Sequence, residues 1–389
     1  MNNNLKRPIL SIVIPTKNRS EYAIKSIESC LRITEREFEL IVEDNSNNDD
    51  LEKRISKLDD DRLCYKHNRL PIDMNSNFEN AVNRAKGNYV TIIGDDDSVS
   101  NEIVRIAKWC KEKDIDSLIT SRPSSCTWPD STSQKLGNLM TGKLVIKHFS
   151  GKVKYPDVGA NLIRCLRSGV SNYYSIPRLY YGIVKIEALR KLKEEIGCLF
   201  PGPSPDMANA IALCFVIKKL CWIDYPIFIP GVGRKSGAGL GAQNKHTGKL
   251  DQWSHLSKIY INNWSSLIPK IFGGQTIWAE DAIQALKKVG HEEYLKYLNM
   301  ESVYARSYIK HKRFRKEIKR CLNEIEKFSM YSFFAELLKF TLFRFLSLCN
   351  NIYLYKIMPS NLLIISNIDN INEASIIHDN KCKALILPN

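Results

Sequence analysis

The chain has 389 residues, 44% hydrophobic and 25% charged, a globular balance that excludes a disordered or collagen-like chain. Its net charge of +15 is lopsided: residues 1–100 hold 15 Lys and Arg against 18 Asp and Glu, and the other 289 hold 42 against 24. A basic second half predicts an anionic partner: a phosphorylated substrate, an anionic membrane or a nucleic acid. The 11 cysteines contain no CxxC, and the tightest spacing is Cys214 to Cys221. Neither a disulfide framework nor a zinc finger is expected, and the thiols read as reduced, in a cytosolic setting. Met1 to Arg7 leads into a strand rather than into the apolar core of a signal peptide. No uncharged apolar run reaches the roughly 18 residues of a membrane span.

In chain order, Ile9 to Ile14 is an apolar, β-branched run with the pattern of a buried parallel strand, ended by Pro15. The polar loop Thr16-Lys17-Asn18-Arg19 follows. Ser20 is the expected N-cap of a helix reaching about Leu31. Phe38 to Val42 is a second strand, stopping at the polar turn from Glu43 to Asp50. A helix over Leu51 to Leu58, a short strand over Leu63 to Tyr65 and a helix from about Asn77 come next. Tyr89 to Ile93 is a buried strand that ends in Gly94 and three consecutive carboxylates, Asp95-Asp96-Asp97. Three adjacent acids cannot stay buried uncompensated. They read either as a solvated turn or as a site for a divalent metal bridging to phosphates. A helix over Asn101 to Lys113 and a strand over Ser117 to Thr120 complete an alternation that predicts a parallel, doubly wound sheet. The three polar strand-end loops would then share one edge, where such sheets bind nucleotides.

These residues resemble the GT-A-fold, family 2 inverting glycosyltransferases. The resemblance rests on Ser11 to Arg19, on Glu39 to Ser46, and on Ala85 to Val90 leading into Asp95-Asp96-Asp97. It is strong over residues 8–120, weaker over 170–240 and absent beyond about 260. It implies a catalytic domain over residues 1–250, with a nucleotide-binding half (8–120) and an acceptor half (121–250), on a doubly wound mixed sheet. It further implies that Pro15, Thr16, Lys17 and Arg19 touch the nucleotide, that Asp44 reads the base and that Asn77 lies near the donor. Asp95 and Asp96 would sit near the ribose and phosphates, and Asp97 would hold Mn²⁺ or Mg²⁺. The stretch 121–170 is turn-rich and irregular. Ile183 to Lys185 and the helix Ile186 to Glu195 precede a proline-fixed loop, Phe200 to Pro205. Asp206 then opens a helix expected over Met207 to Lys218. It is either an N-capping acid or, as the resemblance implies, the base that takes the proton from the attacking hydroxyl.

After an expected strand, Trp222 to Ile229, the stretch Pro230 to Gly241 carries five glycines without the spacing of a phosphate-binding P-loop. Arg234 and Lys235 suit either closure over a diphosphate or a mobile surface loop. His246 is an added metal ligand by resemblance, or an ordinary surface histidine. From Asp251 to the end the chain is expected to be mostly helical. Residues 306–320 hold eight Lys and Arg and one acid. Phe328 to Ile357 is aromatic and amphipathic, but Glu336, Lys339 and Arg344 argue against a span. This region reads either as a membrane-interface anchor or as a helical bundle with a solvated basic face. Leu362 to Ile365 and Ala384 to Leu387 are short strand candidates.

The expected activity is metal-dependent transfer of a sugar, a UDP-sugar first, to a polyprenyl-diphosphate-linked glycan in cell-surface polysaccharide assembly. The expected location is the cytoplasmic face of the inner membrane. A sugar-phosphate nucleotidyltransferase is the alternative, disfavoured because it would open on a glycine-rich loop. A nucleic-acid binder is disfavoured because clustered acids repel phosphate.

Overall fold

The computed structural model describes residues 7–121, 124–132, 139–325, 328–352 and 362–388. Eight strands form the main sheet: β1 (Leu10–Thr16), β2 (Phe38–Asp44), β3 (Leu63–His67), β4 (Tyr89–Ile92), β5 (Ser117–Thr120), β6 (Val153–Lys154), β7 (Gly182–Lys185) and β8 (Leu220–Ile223). They lie in the order β3-β2-β1-β4-β7-β5-β8-β6. The first four run parallel, β7 is antiparallel to both β4 and β5, and β8 returns parallel to β5. The sheet is therefore mixed, as the resemblance implies, where the alternation of strands and helices alone predicts a parallel one.

Every residue of β1 and β2 is buried, because helices cover both faces. Side chains alternate between those faces. Ile12, Ile14, Leu40 and Val42 pack with the helices Ser20–Leu31 and Ile103–Glu112. Val13, Ile41, Val90 and Ile92 pack on the other side with Met74–Asn83, Ile186–Ile196 and Pro205–Leu213.

Several boundaries differ from expectation for local reasons. Ser20 is the first helical residue rather than the cap, and Arg19 takes the cap position. The helix expected from Asn77 begins at Met74, because Asp73 caps it by accepting from Ser76 N at 2.8 Å. The helix after Ser204 spans Pro205–Leu213, so Asp206 lies in its first turn and it stops short of Lys218. The expected strand over 222–229 is two, β8 and Phe228–Ile229, parted by Asp224, Tyr225, Pro226 and Ile227. Within 121–170 lie Ser124–Thr127, Lys143–Lys147, β6 and the helix Val158–Arg167.

Residues 251–352 are largely helical, with Lys258–Asn262, Gly274–Lys288, Met300–Lys310, Arg315–Asn323 and Met330–Ile352. No described helix is long and apolar enough to cross a membrane. The chain then returns to the first half. Leu362–Ser366 pairs antiparallel with Lys143–Lys147 in a second sheet that also holds Ser124–Thr127 and Gly231–Val232. The helix Ile371–Lys381 packs on Ser20–Leu31, and Ile368, Ile371, Ala374 and Leu385 join the core beneath it. Trp109 Nε1 donates to Pro388 O at 2.9 Å, and Asp379 Oδ1 accepts from Asn101 N at 3.1 Å. The final stretch, 362–388, is thus part of the same core as the nucleotide-binding half. Ala384 to Leu387, a strand candidate, forms no strand.

Candidate active site

β1 and β4 are parallel neighbours, so the loops leaving their carboxyl ends meet. Thr16 Oγ1 donates to Asp95 Oδ2 at 2.6 Å. The Arg19 guanidinium bridges the next two oxygens, with Nη1 at 2.7 Å from Asp95 Oδ1 and Nη2 at 2.9 Å from Asp96 Oδ1. The second loop joins them: Lys17 Nζ donates to Asn45 Oδ1 at 2.8 Å, and Asn18 N donates to Ser46 Oγ at 2.7 Å. Asn18 takes a φ of 57°, a left-handed conformation that asparagine tolerates. Asn77 Nδ2 reaches Thr16 O and Glu43 O, both at 3.4 Å, clasping the ends of β1 and β2. Pro15 lies buried opposite Glu43 in the sheet register.

Within the triplet the three acids have different surroundings. Asp97 is an anchor: its Oδ2 accepts from Gly94 N at 2.6 Å and Tyr181 OH at 2.7 Å, and its Oδ1 from Gly231 N at 2.7 Å. Tyr181 adopts a φ of 56° as its hydroxyl makes that contact. Asp96 Oδ2 accepts from Gly233 N at 2.9 Å. The glycine-rich loop is therefore strapped to the acids by two backbone N–H groups. A Cβ at Gly231 would lie 1.8 Å from Asp96 O, and one at Gly94 would lie 2.7 Å from both Asp97 Oδ2 and Tyr180 OH. Glycine at these positions is a requirement of close approach.

Burial pushes the carboxyl of Asp95 up to about 6, against the pull of Arg19, and that of Asp97 up to about 7, with the Asp96 charge adding to it. Burial alone would lower the Arg19 pKa, but the charges of Asp95 and Asp96 outweigh it and raise it. The triplet carries more negative charge than one guanidinium neutralises.

The acid expected to act as base, Asp206, lies on the helix Pro205–Leu213. Ser204 Oγ lies 2.7 Å from Asp206 Oδ1 and 2.5 Å from Asp281 Oδ2, while Ser204 N donates to Asp281 Oδ1 at 2.7 Å. One hydroxyl has one proton, so one of the two carboxylates must supply another. Asp281 has no solvent exposure, and burial holds its carboxyl well above the usual range. Asp281 therefore donates to Ser204, and Ser204 donates to Asp206 Oδ1. Met207 N is also directed at Oδ1, at 2.9 Å. The half-buried Asp206 is thus held through Oδ1, and its other oxygen accepts no hydrogen bond among the described residues.

The remaining expected site residues have mixed placements. Asp44 is fully buried, accepting from Ser46 N at 2.8 Å and Tyr65 OH at 3.0 Å, which leaves an acceptor position on each oxygen. The Arg234 and Lys235 side chains are exposed, directly after the strapped glycines. His246 does not join Asp97. It packs edge-on to Trp253 and Phe272, with ring centroids at 5.3 and 4.8 Å. Burial lowers its pKa, opposed by the charge of Asp206. Among the described residues, no three His, Cys, Asp or Glu side chains are grouped to enclose a metal. Sequence reasoning did not find Tyr180, Tyr181, Ser204 or Asp281. It read the glycines at 231 and 233 as freedom of motion, where they serve close approach.

Residues 11–163 match the family model described as "Glycosyl transferase family 2". The match covers the first two-fifths of the chain. The acid triplet and the loops after β1 and β2 all lie within the matched segment. The chain is 35% identical over 99 residues to WcaA of Escherichia coli, named for colanic acid biosynthesis, covering 25% of this chain and 34% of that one. It is likewise 35% identical over 95 residues to the GalNAc(5)-diNAcBac-PP-undecaprenol beta-1,3-glucosyltransferase of Campylobacter jejuni, covering 24% and 31%. The matched stretch thus spans about a third of each of these relatives. Among solved structures, S. aureus TarS 1-349 with UDP-GlcNAc has a TM-score of 0.45 at 13% identity, covering 80% of this chain and 88% of that one. The mannosyltransferase PcManGT of Pyrobaculum calidifontis, in complex with GDP-Man and Mn²⁺, has a TM-score of 0.40 at 13% identity, covering 96% and 88%.

Proposed function

We propose that the protein transfers a sugar from a nucleoside-diphosphate donor to a hydroxyl of a lipid-linked glycan, with inversion at the transferred carbon. The observation that carries this reading is the convergence of Thr16 and Arg19 on Asp95 and Asp96, with Asp206, held through one oxygen only, supplied by a separate helix. Thr16, Lys17, Asn77 and Asp44 would line the nucleoside. Arg234 and Lys235 would meet the diphosphate.

A divalent cation fits the chemistry of the triplet. Its donors are hard carboxylate oxygens, and its charge exceeds that of Arg19. A Mg²⁺-type ion held by one or two carboxylates and the substrate's phosphates needs no enclosing protein cage. Asp97 accepts hydrogen bonds from Gly94, Tyr181 and Gly231, whereas Asp95 and Asp96 have one partner on each oxygen, so Asp96, aided by Asp95, keeps more acceptor capacity for the ion. When bound, the ion would neutralise the departing diphosphate. The protein's own work is to orient the donor along the edge of β1 and β4, to take the acceptor hydroxyl's proton on the free oxygen of Asp206, and to offer Arg19 and the exposed cations to the developing charge.

Support for the acceptor class comes from the name of the Campylobacter jejuni relative, which includes PP-undecaprenol, and from the colanic acid name of the Escherichia coli one. Such an acceptor would place the protein at the cytoplasmic membrane face. The test is a panel of UDP-, GDP- and dTDP-sugars, with and without Mn²⁺, against a polyprenyl-diphosphate glycan. Transfer or slow donor hydrolysis from one nucleotide class, stimulated by Mn²⁺, is the expected result. Release of pyrophosphate from a nucleotide triphosphate and a sugar phosphate would replace this reading with nucleotidyl transfer.

A further inference from the structure

A helix on a protein surface ordinarily turns its apolar stripe inward and its polar residues to water. Met330–Ile352 has apolar residues on both faces. Its inward side carries Phe333 and Phe340, both buried. Phe333 shares a cluster with Tyr304, Ile318 and Leu322 from the two preceding helices. Its outward side shows Tyr331, Phe334, Ala335, Leu338, Leu342, Phe345, Leu346 and Cys349, all exposed. Their spacing, in steps of three and four with single-residue steps beside them, puts them in one stripe about 120° wide. Leu338 is 72% exposed and Phe345 62%. The charged Lys339 lies at the edge of this stripe, and Arg344 is directed away from it, over the Phe340 ring. No helix elsewhere in the chain shows so many exposed large apolar side chains among the described residues.

The ground beside the stripe is cationic. The helix Arg315–Asn323 and the turn before it pack on Met300–Lys310, as Met330–Ile352 does. They expose Lys312, Arg313, Lys316, Lys319 and Arg320, none of which pairs with a carboxylate among the described residues. An apolar stripe of this size, with unneutralised cations alongside and no span-length apolar core, matches a surface that is apolar a few ångströms down and anionic at its face.

We propose that Met330–Ile352 lies in the plane of an anionic lipid bilayer, its Tyr331-to-Cys349 stripe among the acyl chains and the Lys312-to-Arg320 cations on the headgroups. A second copy of this chain is the less suitable occupant, because pairing the stripe with its own image would also bring the two cationic flanks together. The core side of the helix fixes its orientation: Phe333 and Phe340 tie it to Met300–Lys310, whose neighbour Gly274–Lys288 carries Asp281. A docked helix would thereby hold the Asp206 side of the cleft at a set position relative to the headgroups, where a lipid-linked acceptor presents its glycan. The helix assignment rests on the exposed stripe and not on the transfer reading. Vesicle binding is measured without catalysis, so either can fail while the other stands.

The experiment is co-sedimentation of the full chain with vesicles of phosphatidylglycerol and phosphatidylethanolamine, and with phosphatidylcholine vesicles as the neutral arm. The wild type should partition at least tenfold more strongly onto the anionic vesicles, and added salt should weaken that preference. The double variant Leu338→Glu with Leu342→Glu alters only exposed positions, so its melting temperature should stay near wild type while its vesicle binding falls at least tenfold. Lys316→Glu with Lys319→Glu should remove the anionic preference and leave the neutral-vesicle binding unchanged. Wild-type-like binding by the Leu338/Leu342 variant would overturn the proposal. So would a wild-type dimer that this variant dissociates, with no vesicle binding by either protein.

Discussion

Replacing Asp281 by Asn should leave the protein almost untouched, although it removes a fully buried carboxyl next to the proposed base. The reasoning is in the hydrogen-bond count at Ser204. A protonated Asp281 donates to Ser204 Oγ and accepts from Ser204 N, and an asparagine amide does both. Asp281→Leu does neither and orphans the Ser204 N–H, which costs about 1–3 kcal/mol of stability. It also frees Ser204 to rotate off Asp206, so transfer should fall by about tenfold, or ~1.4 kcal/mol of transition-state stabilisation. The decisive readout is the acid limb of the pH profile of kcat/KM. One hydroxyl bridges Asp206 and Asp281, so their nearest oxygens are no more than about 5 Å apart. At an effective dielectric of about 20, two charges there repel by about 3 kcal/mol, or about two pKa units. If Asp281 were ionised, Asp281→Asn would relieve that repulsion and move the acid limb down by a unit or more. A neutral Asp281 predicts no movement, because a neutral group replaces a neutral group. A displaced limb, or an Asn variant as impaired as the Leu variant, would refute the protonation assignment.

Three further outcomes follow from the same structure. Gly231→Ala places a Cβ 1.8 Å from Asp96 O, so the strap must lift off the triplet; stability should fall by about 1–3 kcal/mol and UDP affinity by tenfold or more in calorimetry. Truncation before Leu362 removes Ile368, Ile371 and Leu385 from the core. At about 1.5–3 kcal/mol per buried side chain the loss is roughly 5–9 kcal/mol, comparable with the whole net stability of a domain, so the truncated chain should fail to fold. An unchanged melting temperature would make the tail a separable extension. His311 is 6% exposed, and burial, with Lys310, lowers its pKa to about 4. The unfolded chain takes its proton near the ordinary value of about 6.5 and the folded chain only near 4, so this stability is present above about 6.5 and lost as pH falls to 4. The wild-type advantage over His311→Gln in urea unfolding should therefore shift by about 3 kcal/mol across that window; a pH-independent difference would count against a neutral, buried imidazole.

The parts of the site that lie within one strand-loop-helix unit could be read from the sequence. Strand runs ending at Pro15, Asp44 and Asp95 dictate parallel pairing, and parallel pairing brings their loops to one edge. The distances from Thr16 and Arg19 to the triplet confirm that arrangement. What could not be read depends on contacts between distant segments. Asp281 reaches Ser204 across 77 residues, inside a helix whose own pattern gives no reason to single out an acid. Tyr181 reaches Asp97 across 84 residues from a left-handed backbone position that tyrosine does not advertise. Leu362–Ser366 has a strand pattern, but nothing local says that its partner is Lys143–Lys147. The amphipathic character of Met330–Ile352 was visible, whereas the exposure of its apolar stripe depends on which side Phe333 and Phe340 lock to their neighbours. The glycines show the limit from the other side. Their number suggested a flexible loop, but at Gly231 and Gly233 the missing side chain lets backbone N–H groups reach the acids.

The proposed function divides the labour: the triplet would hold the donor, and Asp206 would take the acceptor's proton. Asp206→Asn separates the two, because it keeps the acceptor for Ser204 Oγ while removing the basic oxygen. Donor binding by titration calorimetry and transfer to a lipid-linked glycan should be measured on the same preparation. The account predicts a UDP dissociation constant within about twofold of wild type and a loss of transfer of at least a hundredfold, on the order of what a positioned general base supplies. Near-normal transfer by Asp206→Asn would contradict it.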